Sequence, residues 1–512
     1  MKNKLLTYSV SLYSVFILSS SYVLPNNSDD TCVLPISNSK SISPKDTLKK
    51  KEIGQKELFD MIRKGVVSIK VMGHLALDRY DKLWSGTGFI VDLEKGLIVT
   101  NAHVAGEMSV CTYEIKFGNG KTTDARLEYI DPCYDIAVLS IINKDDIPSD
   151  CIQLEFSDED PSLNMAVYSM GSSYGNEFST YHGTIFDTTS ILWLKTFPEQ
   201  SLQFSGLTVP GASGSPVFGA DGKVVGLLYG GDFASGAALP IKYVEPVVNA
   251  IKNGKQFQRY FYGFMVDYMS LQDAIDSGIV HKDAQKEYEE KFPNANNKIL
   301  LVTKKLSAFP ETKEIQAGDI IWKIDDELIG PNLRKFDEMI QKAKGSNIEV
   351  IVYRDGKQKK IEIPTYKLKS KEDIKLLSFA GAVFFETNVD IAMSRGTNEQ
   401  AVYIRDAEPG SAFSIITGNQ HGYPIADSFQ ITELDGEKIK SIDDVVSKLK
   451  DLFKKSVFNI KYIKVGGDGE EISITTKYNK EFIDAVLYSF DSSKKSWEVK
   501  NISNPLHVMS EE

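Results

Sequence analysis

Three short segments of the 512-residue chain carry side chains that could move a proton and attack a carbonyl. In "GLIVTNAHVAG" (96–106) an apolar strand runs into Asn101-Ala102-His103, so the end of a sheet would aim the imidazole of His103. In "DPCYDIAVLSI" (131–141) Asp135 stands just before a fully apolar strand, where a carboxylate is partly buried and can fix a histidine tautomer. In "GLTVPGASGSPVFGADGKVVGLLYGG" (206–231) Ser213 lies in a glycine-rich turn followed by a strand. Together these residue types suit acyl transfer. A serine hydroxyl is a weak nucleophile until a base takes its proton. His103 would be that base, Asp135 would orient it and stabilise the imidazolium, and the backbone N–H groups of Gly211 and Ser213 would form an oxyanion hole. Asp131 competes with Asp135 on position, but it precedes Pro132 in a turn and lacks the apolar strand immediately after it.

The elements that must position these residues are mostly short strands. From Val66 to about Ile251, alternating runs such as 66–71 and 125–130 are separated by Gly, Asn and Asp turns, which predicts a barrel or sandwich. A short amphipathic helix is expected at 57–64. Two later blocks repeat one plan: a turn in "AGDIIWKIDDELI" (317–329) or "ADSFQITELDGEKI" (426–439), a helix near 334–344 or 441–454, then a hairpin at 347–363 or 458–474. The stretch 367–375 reads as a linker between the copies, and the chain from about 484 reads as a further hairpin.

Composition agrees with a multi-domain globular protein. Hydrophobic residues make up 42% and charged residues 25%, and the net charge is -11. So acidic a chain argues against nucleic acid as the main partner. Its four cysteines form no C-x-x-C pair and have no histidine at ligand spacing, so neither a metal site nor a cofactor is expected. Cys111 and Cys133 bracket an expected hairpin and are read either as a disulfide or as two thiols. Lys2 and Lys4 followed by the uncharged run 5–24 have the pattern of a secretory signal peptide ending near residue 21, with an uncleaved membrane anchor as the alternative. This predicts an exported protein, periplasmic or secreted, with a polar linker over 22–56.

The order His103, Asp135, Ser213, with "TGFIVD", "YDIAVL" and "GASGSPVF" around them, resembles the chymotrypsin-fold HtrA/Deg serine proteases over roughly residues 57–478. The resemblance implies a mostly β protein. A double β-barrel protease domain (57–251) would be followed by two α+β PDZ-like domains (256–367 and 376–478) and a C-terminal tail hairpin (479–512). It implies an ATP-independent endopeptidase of protein quality control acting on unfolded or C-terminal segments of client proteins. A protease-idle chaperone or peptide-binding scaffold is the alternative. No Walker-type phosphate loop is written in the chain. A homo-oligomer, a trimer built around Phe59, is also implied.

The Ser213-Gly214-Ser215-Pro216 spelling resembles a branch of Deg-type proteases best known from eukaryotes, whose members act without a signal peptide, so the leader is a departure. In chymotrypsin-fold enzymes the residue six before the nucleophile lies at the base of the specificity pocket. Here that is Leu207, and with Phe204 and Leu228 it predicts an apolar pocket for aliphatic residues. In the first PDZ-like domain Tyr262, Gly263, Phe264 and Met265 resemble a carboxylate-binding loop; Ala380–Val383 is a weaker match in the second, read equally as a packing element.

Overall fold

The computed structural model describes residues 54–502, apart from 76–82, 108, 174–175, 192–198, 233, 294–296, 307–308, 310–311, 369–373, 388–399, 418–427, 466–468, 478, 480–483 and 492. The expected leader, Cys32, most of the first linker, His421 and His507 lie outside the described residues. Among the described residues no helix is long and apolar enough to cross a membrane.

The first six strands close a barrel. Strands β1 (Val66–Leu75), β2 (Leu83–Asp92), β3 (Leu97–Thr100), β4 (Val110–Phe117), β5 (Thr122–Asp131) and β6 (Ile136–Ile141) join in the order β1-β2-β3-β6-β5-β4. Val67, Ile69 and Val71 fill its interior with Ile90, Ile98, Ile115 and Leu139. Strand β6 is buried along its whole length, because Ala137, Leu139 and Ile141 face this interior while Ile136 and Val138 face a second core outside it. That explains its unbroken apolar text.

A second barrel repeats the topology. Strands β7 (Ala166–Ser173), β8 (Asn176–Ile191), β9 (Gln200–Ser205), β10 (Pro216–Phe218), β11 (Val224–Gly231) and β12 (Ser235–Pro240) close in the order β10-β11-β12-β9-β8-β7, the same cyclic order as the first. Helix α1 (Gln55–Arg63) buries Leu58 and Ile62. Phe59, expected at an intersubunit surface, packs within the chain, edge-on to Tyr168 at 5.3 Å and near Phe218 at 6.4 Å.

Beyond the barrels, α2 (Ala102–Ala105) lies inside the first barrel's sequence and α3 (Ile241–Lys252) follows the second. The first repeat unit then forms a six-stranded sheet whose longer strands are Phe264–Ser270, Lys298–Lys305, Ile320–Ile324, Ile348–Arg354 and Lys357–Ile363. It carries α4 (Leu271–Asp276), α5 (Ala284–Lys291) and α6 (Leu333–Ala343). Its ends are pinned together by pairing of Tyr260–Phe261 with Tyr366–Lys367. Asn332 caps α6 by accepting from the Lys335 amide. The second unit repeats the turn–helix–hairpin plan, with Ser441 and Asp444 forming a capping box on the helix Ile442–Leu452. The repeat is visible in the turns: Asp325-Asp326 and Asp435-Gly436 both have positive φ and both close a strand onto a two-residue strand.

Three points left open or read separately in the sequence take a definite form. The tail hairpin, Ala485–Asp491 with Ser496–Asn501, is no separate appendage: it pairs with Lys375–Phe379 and extends the second unit to nine strands. Ala380-Gly381 is a tight turn with φ of 51° and 76° joining two paired strands, so it offers no open loop. Cys111, Cys133 and Cys151 are thiols and not partners in a disulfide.

Candidate active site

The candidate base and acid meet at one end of the first barrel. After buried β3, the single turn α2 carries His103. Asp135, 2% exposed with φ of 55°, sits between the β5–β6 turn and β6. Its carboxylate takes both groups that His103 offers: Oδ1 accepts the backbone amide at 2.9 Å and Oδ2 lies 2.7 Å from Nδ1. Asn101 completes the fit by donating Nδ2 to the Asp135 carbonyl at 3.0 Å. An imidazole held through Nδ1 presents its Nε2 as the exchanging nitrogen. The His103 side chain is 25% exposed and that of Asp135 is 3% exposed, so the pair is screened by protein on the acid's side and open on the base's side.

The competing carboxylate is engaged elsewhere. Asp131 Oδ1 accepts the amides of Cys133 and Tyr134, at 3.1 and 3.3 Å, and Oδ2 accepts Arg259 Nε at 2.7 Å. It shapes the turn that leads to Asp135.

Ser213 lies in a turn locked from three sides. The amide of Ala212 donates to Val209 and that of Ser215 to Ala212, while Gly214 and Leu228 tie the turn to β11 with bonds of 2.8 and 2.9 Å. Gly211 (φ 96°) and Gly214 (φ 88°) need the left-handed region that only glycine enters without strain. A Cβ on Gly214 would collide with the Thr87 carbonyl and the Thr100 hydroxyl. Among the described residues no acceptor faces the amides of Gly211 and Ser213, and the Ser213 hydroxyl makes no hydrogen bond.

Thr87 joins the two halves of the site. Its amide donates to the Ser213 carbonyl at 2.8 Å, and its hydroxyl donates to the Gly211 carbonyl at 2.9 Å and accepts the Ser172 amide at 2.9 Å. Its carbonyl accepts the Thr100 hydroxyl at 2.7 Å, three residues before His103. The serine turn from the second barrel is thereby fixed to the strand pair that carries the histidine. Thr87 stands inside the "TGFIVD" text, but a strand threonine carries no local sign of a bond to residue 213.

Two sets of expected residues are corrected. Phe204 and Leu228 are 3% and 1% exposed and belong to the interior of the second barrel, where the Phe204 ring fills the space over Gly236. Leu207 is 42% exposed on the connection after β9. The three do not line one pocket: inward-facing barrel residues and pocket walls have the same apolar composition. Tyr262, Gly263, Phe264 and Met265 are all buried. Tyr262 stacks 4.6 Å from Phe264 and 4.9 Å from Phe336, and Gly263 lies under Phe309, Thr312 and Tyr366. These aromatic rings bury the loop in a core shared with the barrels, so it presents no open carboxylate site.

Two closed barrels with a His–Asp pair and a glycine-flanked serine at their junction define a chymotrypsin-fold serine peptidase domain. Residues 86–227 match the trypsin-like peptidase domain family, and this is the serine endopeptidase class. The chain is 27% identical over 399 residues to the pro-apoptotic serine protease NMA111 of Debaryomyces hansenii, covering 76% of this chain and 40% of that protein. It is 24% identical over 407 residues to the protein of the same name from Pyricularia oryzae, covering 78% and 38%. Among solved structures it is similar to the HtrA-type protease AlgW with tripeptide (TM-score 0.47, 21% identity, 61% of this chain and 96% of that one). The chain is thus similar to serine proteases of this kind, with the trypsin-like peptidase domain at residues 86–227. It spans about two-fifths of the length of the curated relatives it matches. Those relatives are fungal and not bacterial periplasmic enzymes, which overturns the expected periplasmic or secreted location. The Ser-Gly-Ser-Pro spelling points the same way.

Proposed function

We propose that the protein is an ATP-independent serine endopeptidase that cleaves extended, unfolded segments of other proteins with a His103–Asp135–Ser213 triad. The observation that carries this reading is the double hydrogen bond of Asp135 to His103, set beside a serine turn anchored through Thr87. The Ser213 hydroxyl attacks the scissile carbonyl carbon as His103 Nε2 takes its proton. The carbonyl oxygen becomes an oxyanion facing the amides of Gly211 and Ser213, each donor contributing about 3 kcal/mol in such sites. His103 then gives the proton to the leaving amine, and water repeats the sequence on the acyl-enzyme. Asp135 stays ionised throughout and stabilises the imidazolium.

The chemistry needs no nucleotide, because peptide hydrolysis runs downhill once the barrier falls. An extended segment suits the site because a folded one keeps its carbonyls in its own hydrogen bonds. Ser215 is compatible with an active turn: its buried hydroxyl is engaged by donating to the Ala212 carbonyl at 2.6 Å. The two repeat units are read as PDZ-like domains whose role at the site is structural. The test is incubation of the full chain with unfolded casein without ATP. Cleavage by wild type and none by Ser213→Ala is the expected result; equal cleavage by both would contradict the assignment.

A further inference from the structure

The turn that delivers Asp135 is held from outside the barrels. Asp131, Tyr134, Arg259 and Asp337 form one buried cluster, each between 1% and 6% exposed. Arg259 comes from the connection after α3, and Asp337 from the middle of α6 in the first repeat unit. Arg259 Nε donates to Asp131 Oδ2 at 2.7 Å, and its guanidinium carbon lies over the Tyr134 ring, 4.3 Å from the centroid. The Tyr134 hydroxyl donates to Asp337 Oδ1 at 2.6 Å across 203 residues of sequence, and Gln341 donates to the same oxygen at 3.1 Å. Residues outside the barrels therefore grip both ends of the 131–134 turn, and Tyr129 of β5 adds a hydrogen bond to Asp131 Oδ2 at 3.2 Å. The next residue is Asp135.

As a source of stability this cluster is a poor arrangement. Arg259 Nη1 stands 3.8 Å from Asp337 Oδ2, too far for a hydrogen bond, and Nη2 has no partner among the described residues. Buried ion pairs of this quality are typically replaced by apolar side chains without loss. Burial pushes the Asp337 carboxyl above its ordinary value, with Arg259 opposing. Burial also works against the charge of Arg259, but the Asp131 and Asp337 carboxylates outweigh it and raise its pKa. What the cluster does supply is geometry: it fixes the turn in front of a residue held at a positive φ.

We propose that Tyr134, Arg259 and Asp337 are positioning residues for the triad, so that α6 of the first repeat unit is a built-in part of the catalytic site. The inference rests on the triad reading above. Cleavage of a peptide reporter by the full chain tests it, measured as separate kcat and KM values. Tyr134→Phe and Asp337→Asn each lower kcat by about ten- to a hundredfold with KM within about twofold, the scale expected when a catalytic group shifts by a fraction of an ångström. Arg259→Lys retains more kcat than Arg259→Met. In an Asp135→Asn background the Asp337→Asn change costs less than about twofold, because the group it positions is already lost. Variants with wild-type kcat, or an equal loss in both backgrounds, would overturn the proposal. A readout independent of turnover is the low-field proton resonance of the His103–Asp135 hydrogen bond. The proposal requires Tyr134→Phe to shift or broaden it in a folded chain, and an unchanged resonance counts against it. Should wild type fail to cleave any reporter, the triad reading fails, while the resonance still decides whether the cluster positions Asp135.

Discussion

The hydroxyl of Ser215 occupies the space that a Cβ on Gly171 would need. Gly171 lies on β7 and Ser215 ends the nucleophile turn just before β10, so the turn seats against β7 through a side chain on one and its absence on the other. Gly171→Ala must displace Ser215 and Thr87 together, since the Thr87 hydroxyl is 2.6 Å from the same point. It should cost roughly 1–3 kcal/mol of stability, as overpacking of a buried site does. Adding Ser215→Gly should return part of it. Denaturant midpoints of the single and double variants check this, and a double variant no more stable than Gly171→Ala contradicts it.

Thr87→Val keeps shape and removes one hydroxyl. The Gly211 carbonyl and the Ser172 amide would both lose a buried partner. The expected loss is about 1–3 kcal/mol in stability. Because the serine turn is released, kcat should fall more than KM rises. Steady-state kinetics with a peptide reporter separate the two, and a change confined to KM would show that the turn is held without Thr87.

Asp135→Asn retains size but puts an amide where His103 needs an acceptor on both its N–H groups. An Nδ2 facing the ring favours the wrong tautomer. A fall in kcat of about ten thousandfold is expected. A loss under tenfold in a reporter assay would mean that another carboxylate orients His103.

How much of this was legible in sequence depended on range. The motifs around His103, Asp135 and Ser213 are legible because each is contiguous, an apolar strand beside a turn, and the pairing of His103 with Asp135 follows from two such strand ends. The repeat was readable for the same reason: Asp325-Asp326 and Asp435-Gly436 spell the same turn. Contacts at long sequence separation left no such trace. Thr87 reads as one more strand residue, and Tyr134 gives no hint of Asp337. For Phe204 and Leu228, alternation shows that a side chain points inward without showing whether a cavity or a core awaits it. The Tyr262–Met265 loop failed similarly, since its covering rings come from Phe309, Phe336 and Tyr366.

Cys151 gives a prediction in pH. Burial, with Asp150 adding to it, pushes its thiol from the ordinary 9.0 up to about 11. The folded chain then holds this proton more tightly than the unfolded chain. Its contribution to stability is constant below the ordinary value and declines as pH rises from about 9 towards 11. Alkylation of Cys151 by iodoacetamide, followed by mass spectrometry, should stay slow at pH 8 and keep accelerating beyond pH 9. A rate that levels off at pH 9 contradicts the shift.

The most direct measurement is the site of reaction with a peptidyl phosphonate. The full chain should take up one equivalent, and mass spectrometry should place the adduct on Ser213. His103→Ala and Asp135→Asn should label far more slowly, because the hydroxyl depends on its activated neighbour to attack phosphorus. Labelling at another serine, or labelling of Ser213 at the same rate in His103→Ala, would contradict the triad.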